Sequence, residues 1–273
     1  MTGTNSVPTD CNLLIIASGR EPAGTGRLSS NELFQIQAYL KHGNARLLAL
    51  LDITEGLDPV LTNWGVALAP MHVIDANPQV SLGGGEFLAS PAADPSGLIH
   101  PIMKPLVNER LTIAMVKSRP IFASGTVSRG PGAPTLTAVA ATTTNGIQWP
   151  GERAVTATNG SPLRPTNYIL IAALEQGVIN GRDGTRMVVA GDADFLDDQM
   201  IDSAANHYFA SQTLDWLLQR PGALVSEIGP RPITEYTLFL SRSQRTRLYW
   251  LFLAAMPGAV LFLGGLVWLR RRS

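Results

Sequence analysis

The sequence predicts an α/β fold carried on one C-terminal transmembrane helix. Three observations predict it. The first part of the chain alternates short apolar runs with amphipathic segments. A second group of apolar runs returns near residues 168–190. The last thirty residues contain a long stretch without charge. Alternating strand and helix argues a parallel sheet with right-handed crossovers.

The elements follow in order. "MTGTNSVPTD" is polar and shows no apolar core of a cleavable signal peptide. "NLLIIASG" is a continuous apolar run ending at glycine and reads as a buried strand. In "SSNELFQIQAYLKHG", Ser29 and Glu32 make a capping-box pattern. Leu33, Ile36 and Leu40 recur at helical spacing, and Gly43 supplies the stop. "ARLLALLD" is a second buried strand. "DPVLTNWGV" is a short helix with Asp58 as cap and Pro59 in its first turn.

From about Ala67 to Trp149, prolines, glycines and threonine-rich alternation favour strands and hairpins, including a turn at "GPGAP". "YILIAALEQG" and "TRMVVAGDAD" flank the turn "NGRDG" and read as paired strands. "NHYFASQTLDWLLQRPG" closes the domain as an amphipathic helix with Tyr208, Leu214, Trp216 and Leu217 toward the core. The expected organisation is a soluble α/β domain over residues 1–225 with a strand- and loop-rich insertion at about 67–149. A proline-punctuated linker over 226–247 leads to a transmembrane helix over 248–269.

That last stretch, Leu248 to Leu269, carries no charged residue. At 1.5 Å per residue its roughly 22 positions span about 33 Å, enough for a bilayer core. Arg242, Arg245 and Arg247 precede it, Arg270, Arg271 and Arg272 follow, and Tyr249, Trp250 and Trp268 mark its ends. Membrane lipid is therefore an expected partner, and the matched arginine clusters leave orientation open. Pro257 and Gly258 permit a kink. Ala254, Gly258 and Gly265 recur on one face as a small-residue stripe for packing against another membrane helix.

Bulk composition excludes some classes. Among 273 residues, 21 basic and 21 acidic side chains balance, so nothing electrostatic favours nucleic acid. The single cysteine, Cys11, forms no intrachain disulfide and reads as a packed or edge thiol. His42, His72, His100 and His207 are scattered singly, without zinc-ligand spacing. No nucleophile elbow, phosphate loop or calcium loop occurs: "GREPAGTGRLSS" lacks the Gly-Lys-Ser/Thr ending, and Phe195 and Leu196 interrupt the acidic run. No cofactor or metal is expected.

The acidic run "GDADFLDD" is the best remaining candidate. Asp192 and Asp194 follow the strand "MVVAG" at its carboxyl end, where open α/β sheets bind ligands. Asp197 and Asp198 begin the next helix or its preceding loop. The run is expected to finish a strand and cap a helix rather than to form a reaction centre, with Asp192 and Asp194 as the ligand-binding candidates.

Taken together these segments resemble the GldG-like auxiliary component of ABC-type transport systems, first associated with gliding motility, in its C-terminal portion. The opening strand, its "E…I..YL..G" helix and the next strand ending in aspartate match in order. So do "GLDPVLTNWGV", "HPIMKPL", "MVVAGDADFLDD", "SQTLDWLL" and the closing apolar stretch with its terminal arginines. The resemblance implies a flavodoxin-like or amidotransferase-like layout, an open sheet with helices on both faces, without catalytic groups. It implies permease and ATPase subunits as partners and a place in the plasma membrane. Members begin with a further span, which would put the domain outside the cytoplasm. The expected function is a non-catalytic membrane-anchored subunit. A membrane-tethered hydrolase or amidotransferase relative, or a ligand-binding scaffold unrelated to transport, stand as alternatives.

Overall fold

The computed structural model of the chain describes residues 6–18, 27–52, 56–93, 96–125, 132–150, 164–177, 184–219 and 242–272. The turn "NGRDG" before Gly184, most of "GREPAGTGRLSS", the start of "GPGAP" and the linker up to residue 241 lie outside them. The α/β body and the C-terminal helix are separate compact units.

The body is built on one mixed sheet. Its strands are β1 (Leu14–Ala17), β2 (Arg46–Leu50), β3 (Val66–Leu68), β5 (Ser81–Gly83), β6 (Glu86–Pro91), β7 (Ile113–Val116), β8 (Ile121–Ala123), β9 (Thr135–Ala141), β11 (Ile169–Glu175) and β12 (Arg186–Ala190). β4 (Val73–Asp75) and β10 (Gly146–Gln148) form a separate pair. The main order is β1-β2-β12-β11-β9-β6-β5, with β8 beside β11 and β3, and β7 beside β6. β1, β2 and β12 run parallel, whereas β12–β11, β11–β9, β9–β6 and β6–β7 are antiparallel.

The α/β class is therefore present, with parallel pairing confined to one end. The physical reason is the connection type. Among the described connections only β1 to β2 carries a helix of crossover length, while the short link from Glu175 to Arg186 favours an antiparallel pair.

Helices cover both faces. α1 (Ser30–Lys41) and α2 (Asp58–Thr62) lie on one face, where Ile36, Leu40, Val60 and Leu61 meet Leu47, Ala49, Met187 and Val189. α4 (Asn206–Leu217) lies on the other, where Phe209 and Leu217 meet Leu48, Leu50, Val188 and Ala190. Strand side chains alternate between faces, so two central apolar strands feed both cores and every residue of β2 is buried. α3 (Lys104–Asn108) is the one short helix described within the insertion.

Local signals hold in detail at α1. Glu32 N–H donates to Ser29 Oγ (3.3 Å), Ser29 N–H donates to Glu32 Oε2 (2.8 Å), and Gly43 follows the helix at φ +73°. Two expectations are corrected. β1 is an edge strand with Ile15 half exposed, because its single neighbour is β2. Asp58 is the first residue of α2 rather than its cap, since its carboxylate accepts from Arg119 Nη2 at 2.9 Å.

The C-terminal unit is one helical rod. Thr246–Arg272 is 27 residues with a mean hydropathy of 2.0 and no burial in its most apolar window, long and apolar enough to cross a membrane. Leu251–Ala255 widens into a π-helical turn, in which Met256 N–H reaches the Leu251 carbonyl. Pro257 follows at once and has no N–H to return to Leu253, which explains a local change of pitch here. Ala254 and Gly258 are exposed on this rod, and Gly265 lies further along it.

Candidate functional site

The parallel end of the sheet brings three strand termini to one edge. Ser18 N–H donates to Leu50 O (2.9 Å) and Leu51 N–H to Ala190 O (2.9 Å), so Ser18, Asp52 and Asp192 leave the sheet side by side. Ser18, Asp52, His72, Lys117, Asp192 and Asp194 line a cavity of about 280 Å³ there. This is the edge where α/β sheets place ligands. The structure thus puts both sequence-predicted aspartates in a cleft at the expected position.

Their surroundings assign Asp192 a structural task. Its side chain is 4% exposed. Val116 N–H donates to Oδ2 at 2.6 Å, and Asp194 N–H donates to Oδ1 at 2.8 Å. One carboxylate therefore ties the end of β7 to the 3₁₀ turn Asp194–Leu196. Burial pushes its pKa up to about 7; the N–H groups of Val116, Asp194 and Phe195 pull the other way, and the Asp194 charge adds to the rise. Asp197 also serves a turn, accepting from Gln199 N–H (2.8 Å) and Met200 N–H (2.9 Å) through Oδ1.

Gly191 explains the glycine before Asp192. A Cβ there would lie 1.9 Å from the Arg119 carbonyl oxygen. Arg119 N–H donates to Gly191 O at 2.6 Å. The Arg119 guanidinium, buried, donates to the carbonyls of Ala69 (3.0 Å) and Asp52 (2.8 Å) and to Asp58 Oδ1. Behind the cleft, Asn206 is fully buried. The two hydrogens of its Nδ2 are shared among the carbonyls of Ala114, Phe195 and Met200 at 2.7–2.9 Å, and its Oδ1 accepts from Ala114 N–H at 2.8 Å.

The fold is similar to that of the mmIFT52 N-terminal domain. That solved structure matches with a TM-score of 0.52 at 17% identity, covering 76% of this chain and 77% of that one. At such identity the likeness speaks for the fold alone. No protein-family model and no curated protein sequence matches the chain.

One pairing in the cleft is invisible as a sequence motif. His72 Nε2 lies 2.7 Å from Asp52 Oδ1, so Nε2 carries the proton that the carboxylate accepts. Asp52 was legible as the residue ending "ALLD", at the same strand edge as Asp192. His72 comes from the insertion, twenty residues on. Lys117, at φ +44°, holds its ammonium over the Trp149 ring at 4.5 Å. A histidine–carboxylate pair, an ammonium and a buried acid can together bind a polar ligand or move a proton. Among the described residues no group of three or more His, Cys, Asp or Glu is placed to hold a metal ion.

The remaining candidates lie elsewhere. Cys11 is half-buried at the opposite, amino edge, where a cavity of about 640 Å³ is lined also by Tyr39, His42 and Arg46. His42 Nδ1 lies 2.8 Å from the Ala38 carbonyl on the end of α1. His100 is buried in the turn before α3.

Proposed function

We propose that the chain is a membrane-anchored auxiliary subunit of an ABC-type transport system of the gliding-motility kind. It performs no chemistry of its own and binds a permease, an ATPase or a ligand through its α/β body. The observation that carries this reading is the use of Asp192: both oxygens of the best-placed carboxylate are spent on backbone N–H groups, which suits a scaffold edge. The apolar rod Thr246–Arg272 supports plasma-membrane anchoring, and the ordered run of sequence motifs supports the family. In this reading β1, α1, β2 and β12 are the portion that a flavodoxin-like or amidotransferase-like layout describes. Ala254, Gly258 and Gly265 dock the rod on a permease helix, and a further N-terminal span would hold the body outside the cytoplasm.

The test is purification of the full chain in mild detergent after cross-linking in the membrane. An ABC permease and its ATPase are expected in stoichiometric amounts. Recovery of the chain with neither would overturn the reading.

A second reading, a membrane-tethered hydrolase or amidotransferase relative, is favoured by the His72–Asp52 pair in the same cleft as Ser18. Turnover of ester or amide substrates by the full chain, lost in a folded His72→Gln variant, would establish it at the expense of the first.

A further inference from the structure

A second hollow lies on the α4 face of the sheet, away from the strand-end cleft. β9 and β11 pair with Thr135 opposite Glu175 and Thr137 opposite Ala173. Residues two apart on a strand share a face, so these four side chains form one patch. Trp216, near the end of α4, and His100, just before α3, complete a cavity of about 340 Å³ over it. That is within the range of small-molecule pockets.

The walls are braced by contacts among themselves. Arg186 donates through Nε (2.8 Å) and Nη2 (2.5 Å) to Glu175 Oε1 and through Nη1 to the Trp216 carbonyl (3.0 Å). Its guanidinium stands 5.0 Å from the Trp216 ring centroid, and the His100 ring meets the indole at 5.0 Å in a T-shaped arrangement. The positive charge is matched by Glu175, so the site is close to neutral.

His100 is the unusual member. It is 8% exposed. Its Nδ1 accepts from Ile102 N–H at 3.3 Å, which leaves the proton of the neutral ring on Nε2. Burial depresses its pKa to about 4, with Glu175 and Arg186 acting in opposite senses, so the ring is neutral at ordinary pH. Among the described residues Nε2 has no partner, and it does not belong to the sealed polar atoms of the core. Nε2–H is therefore within reach of water or of a ligand that enters the hollow. Both Arg186 bonds to Glu175 use Oε1, and Glu175, Thr135 and Thr137 all line the hollow.

We infer that this hollow binds an uncharged, flat small molecule of the carboxamide or lactam-heterocycle class. Its carbonyl accepts from His100 Nε2–H, its N–H donates to Glu175 Oε2 or to a threonine hydroxyl, and its flat face lies against Trp216 and Ala173. An anion is disfavoured, because the one nearby cation is already paired and the imidazole is neutral. This site is independent of the transport reading and of the strand-end cleft.

The test is saturation-transfer NMR and calorimetry on the full chain in detergent, with nicotinamide and uracil as probes and benzoate as the anionic counterpart. At least one neutral probe is expected to bind at millimolar concentration, and benzoate is expected not to. His100→Asn keeps an acceptor for Ile102 N–H near the Nδ1 position, while its shorter amide withdraws the donor from the position of Nε2. Thr137→Val removes a hydroxyl at constant shape. Each should weaken the neutral probe by about tenfold, the equivalent of one hydrogen bond. Absence of binding by both neutral probes overturns the proposal. So does equal binding of benzoate, or binding unchanged in both variants.

Discussion

Replacing Gly191 by alanine tests how the strand-end cleft is assembled. The added Cβ would sit 1.9 Å from the Arg119 carbonyl oxygen, 2.8 Å from its carbonyl carbon and 3.0 Å from its nitrogen. All three are backbone atoms, so no side chain can turn aside. Relief requires a separation of about 1.5 Å more at the oxygen, the distance to ordinary contact. Such a shift breaks the 2.6 Å bond from Arg119 N–H to Gly191 O. It also drags the guanidinium from the carbonyls of Ala69 and Asp52 and from Asp58. Overpacking costs typically 1–3 kcal/mol and each of the four lost hydrogen bonds about 1 kcal/mol, giving about 5–7 kcal/mol in all. For a body of this size that is a fall in Tm of roughly 10–25 °C. The assay is thermal unfolding of the full chain in detergent, followed by near-UV circular dichroism. Gly125→Ala is the control, since its Cβ would meet nothing within 4 Å. If Gly191→Ala melts within a degree or two of that control, the close approach of Arg119 to Gly191 is not what shapes this edge.

Other outcomes follow from the same contacts. Asn206→Ala should lower stability by about 3 kcal/mol in urea unfolding, because it strands Ala114 N–H and three carbonyls in the core; a loss below about 1 kcal/mol would refute the bracing role. Ser29→Ala should cost about 1 kcal/mol through the lost capping box, measured the same way. For pH, His100 has a folded value below its ordinary 6.5, so its contribution is present above 6.5 and lost as pH falls toward about 4, on the order of 3 kcal/mol. Asp192 has a folded value raised from 3.8 to about 7, so its contribution is fully present below 3.8 and lost as pH rises through 7, on the order of 4 kcal/mol. The two oppose each other between about pH 4 and 6.5; Tm against pH should be shallow in the wild type and fall steeply toward acid in Asp192→Asn, and an unchanged profile would refute the assignment. Finally, the full chain should stay with the lipid pellet after carbonate washing. Leu261→Arg with Leu263→Arg, at about 3 kcal/mol each in a bilayer centre, should release it; a wild-type chain already in the supernatant would refute the anchor.

The elements that were legible are those whose signal is local. The cap and stop of α1 lie within fifteen residues of each other, and β2 and β12 announce themselves as uninterrupted apolar runs. Asp192 at the end of "MVVAG" was placed correctly for the same reason. The edge position of β1 was not legible, because an apolar run does not say how many neighbours it has. The task of Asp58 was hidden too: its partner Arg119 is 61 residues away, and nothing near Asp58 marks it. His72 looked solitary because its carboxylate stands on another strand end.

By itself, the sequence determined an alternation of strands and helices around two apolar faces and a C-terminal helix long and apolar enough to span a bilayer. Those properties are set by periodicity, caps and hydropathy, which act over a few turns. Tertiary structure alone decided the order of the strands in the sheet and which polar groups meet: His72 with Asp52, Asn206 with Ala114, Gly191 against Arg119, and His100 over the β9–β11 patch. Such meetings depend on strand order and register between distant segments, and a one-residue change of register would turn the strand residues beside them to the other face.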